Sequence, residues 1–312
     1  MKWYACELHC HTIHSDGGFS VSELLETAKI RELSGICLTD HNTTSGWEET
    51  EGSDCPVVLK GIEWTTYHGH MLVLDCEKYV DWRDAVPDNI DTKTEQVKKN
   101  GGLVGIAHPF QLGTPICTGG HWDFRVNDWK NIDYIEIFSE GAPYLNAANI
   151  KARKMWHSLL TKGCRITPTM GRDWHRKRAN TFISACTYLL CEDDFSDRQM
   201  KKAIADGRTV VSAGPLFYFE TENGETVGDT LSAGEHTLKF FCDTKRHERI
   251  EKEREIIPEK IVIVSPEGEK EYPFCEEISL TLKKDSWYSA ELWGRTDGKE
   301  NMLLCLTAPV YT

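Results

Sequence analysis

Two rhythms of apolar and polar positions alternate along the first two-thirds of the chain. Residues 3–8, 36–39, 57–64, 71–75, 103–107, 134–138, 166–170 and 209–212 form short apolar runs bounded by Gly, Asp, Asn or Ser, the pattern of buried strands. Between them, residues 20–33, 92–100, 146–162 and 197–205 carry apolar residues at helical spacing. Ser20 and Glu23 form a possible capping box at the start of the first helix, and Gly163 is placed to end the third. A strand-then-helix alternation of this kind predicts an α/β domain built on a mostly parallel sheet, either a barrel or a doubly wound fold.

The pattern changes at Gly214-Pro215. Residues 217–220, 237–242, 260–264, 279–282, 288–293 and 302–306 are short, rich in β-branched and aromatic side chains, and separated by Gly, Asp and Pro. They predict a small all-β sandwich, so the chain divides into residues 1–213 and residues 214–312. The run 245–260 alternates in charge and reads as a solvated loop or a short exposed helix.

Composition narrows the picture. The chain has 312 residues, 40% apolar and 27% charged, which is ordinary for a globular protein. Its 36 Lys and Arg against 49 Asp and Glu leave a net charge of −13. That balance repels phosphate backbones and anionic lipid, so neither nucleic-acid coating nor membrane adhesion is expected. A local basic pocket can still take one small anionic substrate. Cys37, Cys186, Cys191, Cys242 and Cys305 lie within apolar runs, no CxxC pair is present, and Met1-Lys2-Trp3-Tyr4-Ala5 leads directly into the first motif rather than into a leader. Reduced structural thiols and a cytoplasmic location are the expectation. No apolar run approaches the roughly 18 residues that span a bilayer. Oligomeric state is not readable.

The chemistry concentrates at strand ends. His9-Cys10-His11 closes the first strand; residues two apart in extended backbone point to one side, so both imidazoles can reach one cation while Cys10 faces away. Ser15-Asp16-Gly17 follows. Thr39-Asp40-His41 ends the second strand, and Gly61-Ile62-Glu63 lies on the third, ahead of His68-Gly69-His70. Ala107-His108-Pro109 ends a buried run, and Gly171-Arg172-Asp173-Trp174-His175 supplies another same-side pair. In a (β/α) barrel such ends converge on one face. A core histidine is usually a packing residue, but five placements of this kind predict a metal cluster of imidazole and carboxylate ligands suited to Zn, Mn or Fe.

This ordered set resembles the polymerase and histidinol phosphatase (PHP) superfamily over about residues 1–213. The resemblance implies a distorted (β/α)7 barrel with two or three divalent cations, and Gly61-Ile62-Glu63-Trp64-Thr65-Thr66 followed by Gly69-His70 resembles its branch of small stand-alone hydrolases, which includes carbamate-cleaving enzymes and often carries a β-sandwich tail. It further implies that His9, His11, Glu63 and Asp173 hold one metal. Glu63 bridges to a second at His70 and His108, and Asp16, His41 and His175 hold a third. His70 takes precedence over His68 because it occupies the motif position. Asp40 is expected to orient a ligand imidazole, and His14 either lines the pocket or sits in an exposed loop.

Arg172 departs from the family, which usually has a small residue there. Together with Arg176, Lys177 and Arg178 it forms either an anion clamp or a basic exposed turn. Glu136, a carboxylate within an apolar strand, should face the site as a supporting group or substrate contact. Trp47, Trp64, Tyr67, Trp122 and Trp174 either pack the core or wall the pocket. The expected activity is hydrolysis of a small phosphorylated metabolite or nucleotide by a metal-bridging hydroxide. Amide, ester or carbamate hydrolysis at the same centre is the second reading, and an inert metal-stabilised binding module the third.

Overall fold

The computed structural model describes residues 1–112, 121–139, 146–177 and 183–312. The first two-thirds runs β1 (Lys2–Cys10), α1 (Val21–Ile30), β2 (Gly35–Leu38), β3 (Val57–Thr66), β4 (Gly69–Leu74), α2 (Ile90–Lys99), β5 (Leu103–Ile106), β6 (Tyr134–Ser139), α3 (Ala147–Thr161), β7 (Thr167–Gly171), β8 (Cys186–Cys191), α4 (Asp197–Ala205) and β9 (Thr209–Ser212). The remainder runs β10 (Leu216–Thr221), β11 (Gly234–Asp243), α5 (Lys245–Ile250), β12 (Ile256–Ser265), β13 (Gly268–Pro273), β14 (Glu277–Leu282), β15 (Trp287–Thr296), β16 (Lys299–Thr307) and β17 (Val310–Tyr311). The capping box forms as read: the Glu23 N–H donates to the Ser20 hydroxyl at 3.2 Å, and the Ser20 N–H to the Glu23 carboxylate at 3.0 Å.

The architecture is mixed α/β around one large sheet, ordered β13-β12-β15-β16-β9-β8-β1-β2-β3-β4-β5-β6-β7, with β17 against β15. The expected (β/α)7 barrel is not what the hydrogen bonds draw, because the sheet is not closed. Among the described strands, β1–β2, β2–β3, β5–β6 and β6–β7 pair in parallel and the other pairs are antiparallel. A tight hairpin turns β4 antiparallel to β3, and β8 lies antiparallel to β1 on the edge where a closing parallel strand would dock. The two ends of the curl still meet. The His11 N–H donates to the Trp174 carbonyl at 3.0 Å and the Trp174 N–H to the His9 carbonyl at 2.9 Å, just past the end of β7.

Strand alternation explains how the C-terminal third attaches. Ile261 and Ile263 of β12, with Ala290 and Leu292 of β15, face the three-stranded sheet β10-β11-β14 and pack on Phe217, Phe219, Leu238 and Ile278. Two β-layers face each other here, one of them the end of the large sheet. Val262 and Val264 point the other way, joining Trp287, Leu303 and Leu306 in a cluster with Ile135, Trp156 and Leu159. α3 is therefore roofed by β12 and β15, and the Arg153 guanidinium donates to the buried Glu291 carboxylate at 2.6 and 2.8 Å. β16 pairs with β9 through Cys305–Ser212, Leu306–Val211 and Thr307–Val210, making one continuous sheet. No helix among the described residues is long and apolar enough to cross a membrane, and the eleven described cysteines are free.

Candidate metal centre

β1 delivers His9 and His11 to the mouth of the curl, and neither has solvent exposure. Cys10, between them, packs the opposite way among Phe19, Leu24 and Trp174. His9 Nε2 lies 3.1 Å from Glu63 Oε2 and 3.4 Å from Asp173 Oδ1; His11 Nε2 lies 3.3 and 3.0 Å from the same two atoms. The other oxygen of Glu63 lies 2.9 Å from His70 Nδ1 and 3.2 Å from His108 Nε2. Asp16 Oδ1 is 3.0 Å from His175 Nε2 and 3.4 Å from His41 Nε2.

Ligand-type atoms converge in four overlapping groups: His9, His11, Glu63 and Asp173; Glu63, His70 and His108; His11, Asp16, His41 and His175; and His9, His108 and Glu136. The structure thus brings together all nine residues singled out as ligands. His11 also belongs to the third group, which motif order did not reveal. His68 enters none of these groups; its ring packs against Tyr67 and Phe124.

The meeting atoms lack ordinary partners. His9 Nε2, both ring nitrogens of His11, Glu63 Oε2 and Asp173 Oδ1 are buried without a hydrogen bond. Buried polar atoms are rarely left so, and a mixed imidazole and carboxylate set is the donor chemistry of a divalent first-row cation. The residues present fit such ions.

Electrostatics point the same way. Burial opposes the charge of Glu63, but the surrounding imidazoles of His9, His41, His108 and His11 hold it well below the usual carboxylate range. Asp173 is depressed against the same opposition by His9 and His11. Burial disfavours the His11 imidazolium, yet Asp173 and Glu63 push it up to about 9. Protons thus do the compensating that a cation does when ligands are deprotonated.

Supporting groups fix the rings. Glu136 Oε1 lies 3.0 Å from His9 Nδ1 and its Oε2 accepts the His108 N–H at 3.0 Å, so the His9 Nε2 lone pair is turned into the cluster. The Asp173 carbonyl lies 2.7 Å from His175 Nδ1, leaving Nε2 toward Asp16. Asp40 touches no ligand imidazole among these contacts. It accepts from the Thr12 N–H, the Thr12 hydroxyl and the Ser15 hydroxyl, each at 2.7 Å, and so pins the loop that carries Asp16. Gly17 lets that loop fold back, since a Cβ there would meet the His11 carbonyl oxygen at 2.4 Å. Asp173 and His108 have φ of 52° and 25°, left-handed backbone that non-glycine residues adopt at a cost.

Several placements that the sequence left open can be read from the contacts. Arg172 does not reach into the mouth: it is buried, 3.0 Å from the Glu7 carboxylate, with its guanidinium donating to the Ile183 and Ala185 carbonyls at 2.8 and 2.6 Å. Lys177 is spent on Glu23 at 2.7 Å, Arg176 is exposed, and Arg178 lies outside the described residues. His14 sits at the surface with Glu49 at 2.6 Å and Ser45 at 2.8 Å. Trp64 is core; Trp47 donates to the Gly61 carbonyl; Trp122 packs on Phe124; Trp174 lies under Arg31; only Tyr67 of the five is exposed. Glu7 was missed, although a carboxylate two residues before His9 in an apolar strand was a visible signal.

No family model matches the chain. An uncharacterized protein of Methanocaldococcus jannaschii is 29% identical over 147 residues, 43% of this chain and 80% of that protein. A crystal structure from Bacteroides vulgatus, of a two-domain protein containing a predicted PHP-like metal-dependent phosphoesterase, superposes with a TM-score of 0.55 at 14% identity, covering 99% of this chain and 95% of that one. The lesion-specific endonuclease Q of Pyrococcus furiosus aligns with a TM-score of 0.40 at 15% identity, over 65% of this chain and 56% of that one. The chain shares the fold of a two-domain PHP-like protein and carries a buried cluster of histidines and carboxylates.

Proposed function

We propose that the chain is a metal-dependent hydrolase of small phosphoesters. The observation that carries this reading is the cluster itself: four overlapping groups of ligand atoms, linked through His9, His11, Glu63 and His108 and holding buried atoms without hydrogen-bond partners. His9, His11, Glu63 and Asp173 would hold one cation, Glu63, His70 and His108 a second, and Asp16, His41 and His175 a third. Zn, Mn and Fe all suit these donors. Such cations supply Lewis acidity and lower the pKa of water, which ester hydrolysis at neutral pH requires.

The protein's own share is positional. Glu136 holds the His9 tautomer, the Asp173 carbonyl holds that of His175, and Asp40 fixes the loop of Asp16. Burial of His9, His11 and Glu63 keeps bulk water from competing for these donors. A small substrate in a reducing cytoplasm fits the net charge of −13 and, among the described residues, the commitment of Arg172 and Lys177 to internal pairs rather than to a basic track for a polynucleotide. In this reading residues 1–213 bear the chemistry and residues 214–312 form the second unit.

Full-length protein loaded separately with Zn, Mn and Fe tests the reading. The panel comprises phosphomonoesters, phosphodiesters, aryl carbamates, acyl amides and an abasic duplex. Turnover of small phosphoesters, lost in Asp173→Ala, is the expected result. Turnover of carbamates or amides alone moves the assignment to carbon electrophiles. Bound metal with no turnover on any arm leaves an inert module and ends the hydrolase reading.

A further inference from the structure

Arg172 lies beneath the cluster rather than above it, and its contacts converge on one purpose. Glu7 Oε1 accepts the backbone N–H of Arg172 at 2.8 Å and that of His9 at 3.3 Å, while Oε2 lies 3.0 Å from the Arg172 side chain. One carboxylate therefore ties β1 to the segment after β7 at the seam where no strand ladder closes the sheet. The guanidinium reaches on to the Ile183 and Ala185 carbonyls. The next residue is Asp173, in left-handed backbone with φ 52°. Strain of that kind persists only where the surroundings over-determine it.

The C-terminal segment braces the same place. Glu251 accepts the Ile183 and Ser184 N–H groups, both at 3.0 Å, and the Ser184 hydroxyl. Arg246 donates to the Ser184 carbonyl at 2.7 Å and to the Arg31 carbonyl at 2.9 Å, and the Arg31 guanidinium sits 4.3 Å over the Trp174 ring, between Asp173 and His175 in sequence. His247 of the same short helix is 1% exposed. The charged run 245–260 opens with the short helix α5, one of the two forms its composition suggests, and its Arg246, His247 and Glu251 also make it an internal brace.

We propose that Arg172 is a positioning residue which, anchored on Glu7 and on the 183–185 backbone, holds Asp173 in its strained conformation and so sets the affinity of the cluster for its cation, and that Glu251 and Arg246 extend this support from the C-terminal unit. The proposal rests on the metal-centre reading above.

The test uses full-length apo-protein titrated with Co2+. Ligand-field absorption reports geometry, chelator competition reports affinity, and thermal unfolding of the apo-protein reports stability. The double variant Glu7→Gln/Arg172→Met removes both buried charges together; if it does not fold, Arg172→Lys, which keeps the charge but loses the planar fork, carries the test. Co2+ affinity should fall about 10-fold or more with a shifted absorption band, the scale seen when outer support of a metal ligand is lost. Glu251→Ala should weaken binding in the same direction. A distant control, Glu291→Gln/Arg153→Met, should lose stability without moving the band. Affinity and spectrum within twofold of the unaltered protein in the first variant, or an equal effect in the control, overturns the proposal; an unchanged Glu251→Ala overturns its C-terminal half. Failure of the unaltered protein to bind Co2+ overturns the metal-centre reading and this proposal with it.

Discussion

Glu136 contributes through the ring it holds. With its carboxylate gone, His9 Nδ1 loses its partner at 3.0 Å and the His108 amide loses its acceptor. Glu136→Ala should weaken cation binding roughly 10- to 100-fold, measured by chelator competition, with a smaller effect on apo-protein stability. Gly171 answers to space: a Cβ there would lie 2.1 Å from Glu136 Oε1 and 2.5 Å from the His9 Cβ. Gly171→Ala should destabilise by about 1–3 kcal/mol in urea unfolding and also weaken metal binding. His9, His11, His41 and His108 were legible because each follows an apolar run, and spacing of two puts His9 and His11 on one face. Arg172 was not legible as a support: its partners Glu7, Ile183 and Ala185 come from two other stretches of the chain, and a basic cluster in sequence says nothing of which way each side chain turns.

Among elements, the predicted strands and helices appear close to where periodicity put them, while β8 was passed over. Its six residues Cys186–Cys191 are wholly buried and do not alternate, so only a short apolar run marked them, the same signal that marked β2 and β9. That omission matters, because β8 is the antiparallel neighbour of β1 that keeps the sheet open. α3 offers a pH handle remote from the cluster. His157 stacks on Trp287 with ring centroids 5.3 Å apart, and its Nε2 has no hydrogen-bond partner. Burial, then the charge of Arg153, pushes its pKa down to about 3 from the usual 6.5. The folded state therefore resists a proton that the unfolded chain accepts. Its contribution is complete above pH 6.5 and drains away as pH falls toward 3. His157→Phe should flatten that part of the acid limb, read as the dependence of the urea midpoint on pH between 6.5 and 4 relative to the unaltered protein.

For the whole molecule, the join between β9 and β16 means the strands that carry the histidine and carboxylate cluster and the C-terminal strands share one sheet and one core. A fragment ending at residue 213 would expose the β9 edge and strip Val262, Val264 and Trp287 from Trp156 and Leu159. Such a fragment should give no cooperative thermal transition by calorimetry, whereas the intact chain gives one. Change of composition at Gly214-Pro215 marked where the strand pattern shifts, but it could not show that the two parts pack as one, since pairing between β9 and β16 joins residues about ninety positions apart.

The seam between β1 and Trp174 carries a further consequence. Two backbone hydrogen bonds and the contacts of the Glu7 carboxylate with the Arg172 amide and guanidinium hold shut what a full ladder would otherwise lock. His9 and His11 stand on one bank and Asp173 and His175 on the other, so a local breathing motion that parts the banks also pulls the donors off the ion. Escape of the metal and solvent exchange of the Trp174 and Arg172 amides should then share one rate-setting step. Deuterium uptake at those amides should slow in proportion as the ion is bound more tightly, while uptake in β12 stays unchanged.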